Sequence, residues 1–172
     1  MAVFRRDIWR FQFRDALIYW FYIPAAVIGS GLLLDLLMGG VRLPSSWLLY
    51  SGAAGLVGVG GWLIQRAIID LARFGDGTPN PHRPPKRLVD QGVYRFCRHP
   101  MFLGYDLAAL GVAFCWRSPC MLLFSVPLLL LFEVRFLKKE EKYLARRYGD
   151  TFSRYKENVP MLLPTFSPGE KL

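Results

Sequence analysis

The sequence has few residues of the kinds that bind metals or form disulfides. It contains three cysteines, an odd number for a disulfide framework, and two histidines. Cys97 and His99 lie close together, but with the distant His82 they lack the ligand spacing of a zinc site. Cys115 and Cys120 are near enough in sequence to pair, although buried cysteines more often act as small apolar fillers. We therefore expect no metal site and no structural disulfide.

Charged residues are almost absent from four long stretches. Ala16–Leu34 has no charged residue, and it has about the length needed to cross roughly 30 Å of hydrocarbon as a helix. Together with a hydrophobic fraction of 53%, these stretches predict an all-α integral membrane protein with about four transmembrane helices. Because the last two are short, a thin or tilted crossing and a re-entrant hairpin are alternatives to a full crossing for them. The other three stretches are Trp47–Ile64, Met101–Trp116, and Cys120–Phe132, which extends to Leu137.

The N-terminal segment does not have the pattern of a cleavable signal peptide. The first apolar stretch is too long for one, and an aromatic, arginine-rich segment precedes it. In that segment Phe4, Ile8 and Phe11 share one helical face, and the arginines lie elsewhere. This pattern predicts a short helix that lies in the membrane interface.

Basic residues outnumber acidic residues, 22 to 13, and the net charge is +9. The basic residues crowd the N-terminal segment, the loop at 74–98 and the C-terminal tail, whereas the other two connections carry Arg42 and Arg117. With four crossings, the positive-inside rule places both termini and the 74–98 loop in the cytoplasm. This distribution suits contact with membrane lipids, and we expect no nucleic-acid partner.

Glycine and proline mark two further features. Gly52, Gly55, Gly58 and Gly61 lie on one side of the second apolar stretch, and this spacing predicts close packing against another helix. The segment "FGDGTPNPHRPP", residues 74–85, predicts a stiff, turning loop, either a simple connection or the wall of a site.

The C-terminal region has the pattern of cytoplasmic helices. After Leu137 an amphipathic helix is predicted that ends near Gly149, and a second short helix, Thr151–Glu157, precedes Pro160. Such helices either lie on acidic lipid or fold back over the loop before the third crossing.

A concentration of polar groups borders the third apolar stretch in "YRFCRHPMFLG", residues 94–104. Pro100 suits the first turn of a helix, whose free amide groups favour an anion next to Arg98 and His99. Gly104 leaves room one turn further on, and Glu140 and Glu141 follow the fourth stretch. Cations, carboxylates and aromatic rings together match a zwitterionic aromatic molecule, and S-adenosylmethionine has these parts.

The motifs "LVDQGVYRFCRHPMFLG" and "EEKYLARRYGDTFSRYKENVPMLLP" resemble the isoprenylcysteine carboxyl methyltransferase and phospholipid methyltransferase superfamily. The segment "GTPNPHRPPKRLV" is similar to a loop of its small bacterial members. The resemblance implies one membrane domain over residues 1–172, with N-terminal helices at 1–73 and a catalytic half at 74–164 that binds S-adenosylmethionine. It also implies a bacterial inner-membrane location and a lipid-like or prenylated substrate.

The resemblance also implies the site residues. Its cofactor-binding positions fall on Tyr94, Arg98, His99, Pro100, Gly104, Glu140 and Glu141. For catalysis we expect Glu140 and Arg135, although Arg135 stands at a shifted spacing from the acidic pair. Asp106 is not a family feature, but a charge inside a crossing is a functional candidate. The chain departs from the family pattern at Phe102, Tyr148 and Met161.

Four questions stay open at this point. A membrane reductase that uses NADPH, of the sterol-reductase type, and a non-catalytic protein with the same fold are alternatives to a methyltransferase. The acceptor is a prenylated cysteine carboxylate, a phospholipid amine or a small thiol. An ammonium acceptor requires a base, for which Glu140 and Asp106 are candidates. The sequence does not indicate an oligomeric state.

Overall fold

The computed structural model describes residues 22–77 and 85–164, and within these ranges it is helical without strands. The all-α prediction is therefore confirmed for this part of the chain. The expected interfacial helix and the start of the first apolar stretch fall within residues 1–21, outside the described residues. The elements are α1 (Ile23–Leu37), α2 (Trp47–Gly75), a 3₁₀ turn (Gly92–Arg95), α3 (Pro100–Cys115), a π-helical turn (Met121–Ser125), α4 (Val126–Tyr148) and α5 (Asp150–Asn158).

Helix α2 is the one described helix that is both long and apolar enough to cross a membrane. It has 29 residues, and large apolar side chains such as Trp47 (76% exposed) and Trp62 (58% exposed) point away from the protein. The apolar segments Ala25–Leu37 and Pro100–Cys115 are shorter. The presence of four complete transmembrane helices remains a prediction from the sequence.

Helices α2 and α3 pack closely along their lengths. A Cβ atom on Gly104 would lie 2.7 Å from the carbonyl oxygen of Gly60 and 2.7 Å from Cγ1 of Ile64. Gly111 meets Ala53 and Val57 in the same way, two turns further along α3. The absence of side chains at these positions allows the two backbones to approach.

The expectation that Gly52, Gly55, Gly58 and Gly61 form a helix interface is wrong. Among the residues that the structure describes, no atom lies within 4 Å of the place where a Cβ would stand on any of the four. The residues of α2 that face α3 instead follow a spacing of four and three, and buried or contacting positions are Ala53, Val57, Gly60, Ile64 and Ala67. Since α3 supplies two of the glycines, the face of α2 does not need a run of them.

The start of α3 at Pro100 is confirmed, but α4 is longer than the sequence pattern indicates. The apolar stretch and the amphipathic helix after Leu137 form one continuous helix that ends at Tyr148. No proline or glycine interrupts the chain between them, and Gly149 ends the helix with a φ of +55°. The short helix α5 then folds back over the segment before α3, one of the two alternatives considered above.

Buried aspartates fix both ends of this bundle. Asp35 accepts a hydrogen bond from Arg42 at 2.7 Å and one from the backbone of Cys120, which ties α1 to the turn after α3. Asp70 accepts a hydrogen bond of 3.0 Å from the backbone of Val93 and so holds the 3₁₀ turn against α2. Gly92 adopts a φ of +63°, and a Cβ there would collide with the Asp70 carboxylate. Cys97, Cys115 and Cys120 are free cysteines.

The loop at 74–85 is closed at its base. The backbone nitrogen of Lys86 donates to the carbonyl oxygen of Gly75 at 2.8 Å, and Lys86 Nζ lies 2.6 Å from Asp76. Arg147 and Tyr148 of α4 both donate hydrogen bonds to the carbonyl oxygen of Pro85. The wall expected from its prolines lies largely in residues 78–84, outside the described residues.

We predict that Gly104→Ala destabilises the protein, because its Cβ would meet the backbone of α2. The expected loss is about 1–3 kcal/mol, typical of overpacking at a close helix contact. The matched control is Gly52→Ala, where the added methyl meets no atom and improves helix propensity. Thermal unfolding of detergent-purified protein measures both. Equal midpoints for the two variants would contradict the packing described for Gly104.

Candidate functional site

The Arg98 side chain is buried (7% exposed) and bound by the protein itself. Its Nε donates to Glu141 Oε1 at 2.8 Å, and Nη2 lies 2.6 Å from the same oxygen. Its Nη1 donates to the carbonyl oxygens of Lys156, at 2.9 Å, and Val159. The guanidinium group expected to bind a cofactor therefore joins α4, α5 and the segment before α3.

The backbone of the same segment is held by the C-terminal residues. The Arg98 nitrogen donates to the carbonyl oxygen of Pro160 at 2.9 Å, and the His99 nitrogen donates to that of Met161 at 3.1 Å. The hydroxyl of Tyr155 donates to the carbonyl oxygen of Tyr94 at 2.6 Å. These hydrogen bonds fix the backbone of the segment that leads through His99 into α3. At Met161, where the sequence departs from the family pattern, the backbone carbonyl rather than the side chain makes the contact.

Glu141 is a buried anion whose contacts are with cationic groups of the protein. It lies inside α4 and is 4% exposed, with Lys156 Nζ 3.0 Å from its second oxygen. Burial alone would raise the pKa of Glu141, but the groups of His99, Lys156 and Arg98 outweigh burial and lower the pKa to about 2. Glu141 thus stays ionised and neutralises Arg98.

Glu140 and His99 are placed differently from Arg98 and Glu141. Nδ1 of His99 lies 3.8 Å from Oε2 of Glu140, and Nε2 lies 3.7 Å from Oε1 of Glu141. Both Nε2 of His99 and Oε2 of Glu140 are buried without a hydrogen-bond partner. Burial raises the pKa of Glu140, with a contribution from the negative charge of Glu141 that His99 opposes. The acidic pair is therefore split into one neutralised and one available carboxyl group.

Aromatic rings adjoin these two groups. The ring of Phe102 lies 6.2 Å from that of His99 in an edge-on arrangement and 5.7 Å from that of Phe136 on α4. Tyr94 is buried near Glu140, and burial followed by the charges of Glu140 and Asp70 raises the pKa of its hydroxyl. We name the group of His99, Glu140, Phe102 and Phe136 the α3–α4 site.

The other residues predicted from the sequence to form the site lie at different distances from it. Pro100 is fully buried in the first turn of α3. The space next to Gly104 is filled by α2, so that helix packing replaces the expected approach of a ligand. Arg135 is exposed and lies five residues from Glu140, about 140° away around α4. Asp106 is buried two turns deeper along α3 than His99.

Residues 48–151, more than half of the chain, match the phospholipid methyltransferase family. The chain belongs to this family. The superfamily resemblance noted in the sequence is therefore confirmed.

Curated relatives in the wider superfamily are longer than this chain. Protein-S-isoprenylcysteine O-methyltransferase of Schizosaccharomyces pombe is 29% identical over 116 residues, which are 66% of this chain and 49% of the yeast protein. The human protein of the same name is 28% identical over 130 residues, 74% of this chain and 44% of the relative. Methanethiol S-methyltransferase 1 of Bradyrhizobium diazoefficiens is 36% identical over 84 residues, 46% of this chain and 27% of the relative. The chain thus spans about half the length, or less, of these relatives.

The sequence analysis did not single out three residues that lie in or next to the α3–α4 site. Glu133 was passed over as part of an apolar stretch, although it precedes Glu140 by seven residues as Asp106 follows His99 by seven. Lys156 lies on the predicted second short helix, and it pairs with Glu141. Phe136 contacts Phe102. The seven-residue spacing, which repeats one helical face, was the available signal for Glu133.

We predict that Glu141→Gln destabilises the fold, because it leaves the buried Arg98 without a counter-charge. Breaking a buried ion pair in this way costs roughly 3–5 kcal/mol. The control is Glu157→Gln, an exposed position on α5 where a change within about 0.5 kcal/mol is expected. Thermal unfolding in detergent compares them. Equal stability of the two variants would show that Glu141 does not hold the fold.

The ionisation of Glu141 predicts that the stability of the protein depends on pH in the acidic range. Its folded pKa of about 2 lies below the ordinary value of 4.5, so its stabilisation is complete above pH 4.5 and is lost as the pH falls toward 2. The stability advantage of the wild type over Glu141→Gln should therefore narrow across this window. Unfolding midpoints of both proteins at successive pH values measure it. A constant difference would contradict the assignment.

Proposed function

We propose that this protein is a methyltransferase that uses S-adenosylmethionine and acts at a membrane on an apolar or lipid-like acceptor. The observation that carries the proposal is the pair of buried atoms without hydrogen-bond partners, His99 Nε2 and Glu140 Oε2, beside the rings of Phe102 and Phe136. Unpaired buried polar atoms are costly, and a polar ligand relieves that cost. The relatives are named for methyl transfer to different acceptors, an isoprenylcysteine and methanethiol. A shared donor accounts for what they have in common.

The α3–α4 site fits the parts of S-adenosylmethionine. An ionised Glu140 accepts hydrogen bonds from an ammonium group, and His99 offers its second nitrogen to a carboxylate or a ribose hydroxyl. Phe102 and Phe136 provide ring faces for the adenine or for the positively charged sulfur. When bound, this cofactor supplies an activated methyl group on that sulfur. Arg98 and Glu141 are positioning residues in this scheme, since their contacts are with each other and with α5.

The residues of the site would help the reaction mainly by placement. The α5 segment holds the backbone of Arg98 and His99, and Pro100 fixes the first turn of α3. Such preorganisation aligns the donor with an acceptor and keeps water away. Arg135 points to another face of α4, and we assign it no step. Glu140 has a carboxyl group that is free of a salt bridge to arginine or lysine within the described residues, and it is the candidate base if the acceptor requires one.

The proposed location follows from charge and from the source of the cofactor. S-adenosylmethionine is polar and is made in the cytoplasm, so the α3–α4 site would open to that side. The arginines and lysines of the 74–98 loop and of both termini lie on the same side by the positive-inside rule. The protein would then be a multi-pass inner-membrane protein in a bacterium, with its acceptor arriving through the bilayer.

Ligand-induced stabilisation tests the proposal. S-adenosylhomocysteine, the product of the donor, should raise the unfolding midpoint of purified protein in a saturable way, since it binds the folded state alone. NADPH should leave the midpoint unchanged. Stabilisation by NADPH and not by S-adenosylhomocysteine would favour a reductase, and stabilisation by neither would favour a non-catalytic protein. Incubation of lipid extracts with labelled S-adenosylmethionine then identifies the acceptor.

We predict that His99→Ala raises the dissociation constant of S-adenosylhomocysteine by about tenfold or more, equivalent to roughly 1.4 kcal/mol. The lost interaction is the hydrogen bond that Nε2 would make to the ligand. Titration calorimetry of detergent-purified protein measures the constant, and circular dichroism checks that helical content is unchanged. The control is Glu157→Gln, which lies away from the site on α5. An affinity within twofold of wild type in a folded variant would mean that His99 only shapes the start of α3.

A further inference from the structure

The outward face of α4 changes from apolar to basic partway along the helix. Its first half exposes Leu128 (48%), Leu131 (60%) and Phe132 (46%), in the stretch that the sequence predicts to cross the membrane. From position 135 onward, every residue of α4 on the same face is an exposed cation. At 3.6 residues per turn, the apolar and the basic set share one arc of about 120° around the helix. The cations, which we name the basic face, are Arg135, Lys138, Lys139, Lys142 and Arg146.

The protein supplies no counter-charge to the basic face. Among the described residues, none of its five cations forms an ion pair. The acidic residues of α4, which are Glu133, Glu140 and Glu141, lie outside the arc. Elsewhere, five cations each have a carboxylate at 2.6–3.2 Å, namely Arg42, Arg66, Lys86, Arg98 and Lys156. The basic face is therefore open to a partner that carries negative charge.

The cations of the basic face also repel one another. Residues three or four positions apart are neighbours on a helix surface, and like charges at this spacing destabilise the helix. Such pairs occur in the basic face at positions 135 and 138, 135 and 139, 138 and 142, 139 and 142, and 142 and 146. An anionic surface next to the basic face would offset this repulsion, because each cation would then have an opposite charge nearby.

We propose that the basic face of α4 binds the headgroups of anionic phospholipids. The inference goes beyond the proposed function and does not depend on it. The exposed apolar side chains directly before Arg135 suit the hydrocarbon region, so the cations that follow them on the same face would reach the lipid phosphates. Ammonium and guanidinium groups form strong, charge-assisted hydrogen bonds with phosphate oxygens. Each cation close to an anionic membrane surface favours the contact by about fivefold.

The order of the cations along α4 ranks their contributions to lipid binding. Arg135, Lys138 and Lys139 lie within about 6 Å of one another along the helix axis, directly after the apolar half. Lys142 lies about 5 Å beyond Lys139, and Arg146 lies about 11 Å beyond it. The attraction of an anionic surface falls off within a Debye length, about 8 Å at physiological ionic strength. The first three cations should therefore carry most of the contact, and Arg146 should carry little.

Photochemical cross-linking in phosphatidylcholine nanodiscs tests where the lipid binds. The probe is a trace of phosphatidylglycerol with a diazirine in its headgroup, and mass spectrometry locates the modified residues. Label should appear within residues 135–142, and unlabelled phosphatidylglycerol should compete with it, whereas soluble glycerol phosphate should not. Equal labelling of these residues by a phosphatidylcholine probe with the same diazirine would overturn the proposal.

A pair of charge-matched variants tests which cations bind. Lys138→Gln/Lys139→Gln should lower the labelling by about 25-fold, since two fivefold contributions are lost. Arg146→Gln/Arg154→Gln removes the same charge from the far end of α4 and from α5, and should lower the labelling by less than about threefold. Equal labelling of the two variants would contradict the basic face as the binding surface.

A salt titration of the wild-type protein gives a measurement that needs no variant. Between 0.1 and 1 M KCl the Debye length falls from about 10 Å to about 3 Å. Labelling of residues 135–142 by the phosphatidylglycerol probe should then fall by about tenfold, toward the level of the phosphatidylcholine probe. Labelling that does not change with salt would refute the proposal, and if Lys138→Gln/Lys139→Gln does not fold, this titration decides together with the competition experiment.

Discussion

The ion pair of Arg98 with Glu141 is the contact on which the rest of the site depends. It joins the segment before α3, the middle of α4 and, through the carbonyl oxygens of Lys156 and Val159, the end of α5. With Arg98 held in this way, the adjoining His99 has its backbone fixed and its ring turned toward Glu140. The charge of Arg98, which the sequence analysis expected to bind a ligand, therefore helps to position His99. A buried pair of this kind is weak evidence for added stability, but it specifies one arrangement of the elements that it joins.

Two adjacent glutamates thereby acquire different roles. Glu141 is neutralised by Arg98 and Lys156, which lowers its pKa, whereas burial raises the pKa of Glu140. Environments that separate the pKa values of neighbouring acids commonly distinguish a structural group from a reactive one. That division leaves His99 and Glu140, next to the start of α3 and in the C-terminal half of α4, as the groups available to the proposed cofactor. The same two helices carry the buried Asp106 and Glu133 two turns further in.

Much of the fold followed from local signals in the sequence. Pro100 and Gly149 mark helix ends because their backbone restrictions act locally, and long uncharged stretches indicate apolar helices whatever their neighbours. The tertiary contacts of individual residues could not be predicted from these local signals. The glycines at positions 52–61 form a visible pattern, but which face of α2 meets α3 depends on Gly104 and Gly111, more than 40 residues away. Arg98 likewise has a structural role because it donates hydrogen bonds to the carbonyl oxygens of Lys156 and Val159. This contact forms only because α5 folds back over the segment before α3. Glu133 could have been found from its seven-residue spacing to Glu140.

Photochemical cross-linking of radiolabelled S-adenosylmethionine to the purified protein tests the central claim most directly, because peptide mapping reports where the donor lies. The label should appear in the peptides that contain His99–Phe102 and Phe136–Glu140, and excess S-adenosylhomocysteine should remove it. Label confined to the opposite end of the bundle, around Trp116 and Cys120, would contradict the account, as would cross-linking that S-adenosylhomocysteine does not compete.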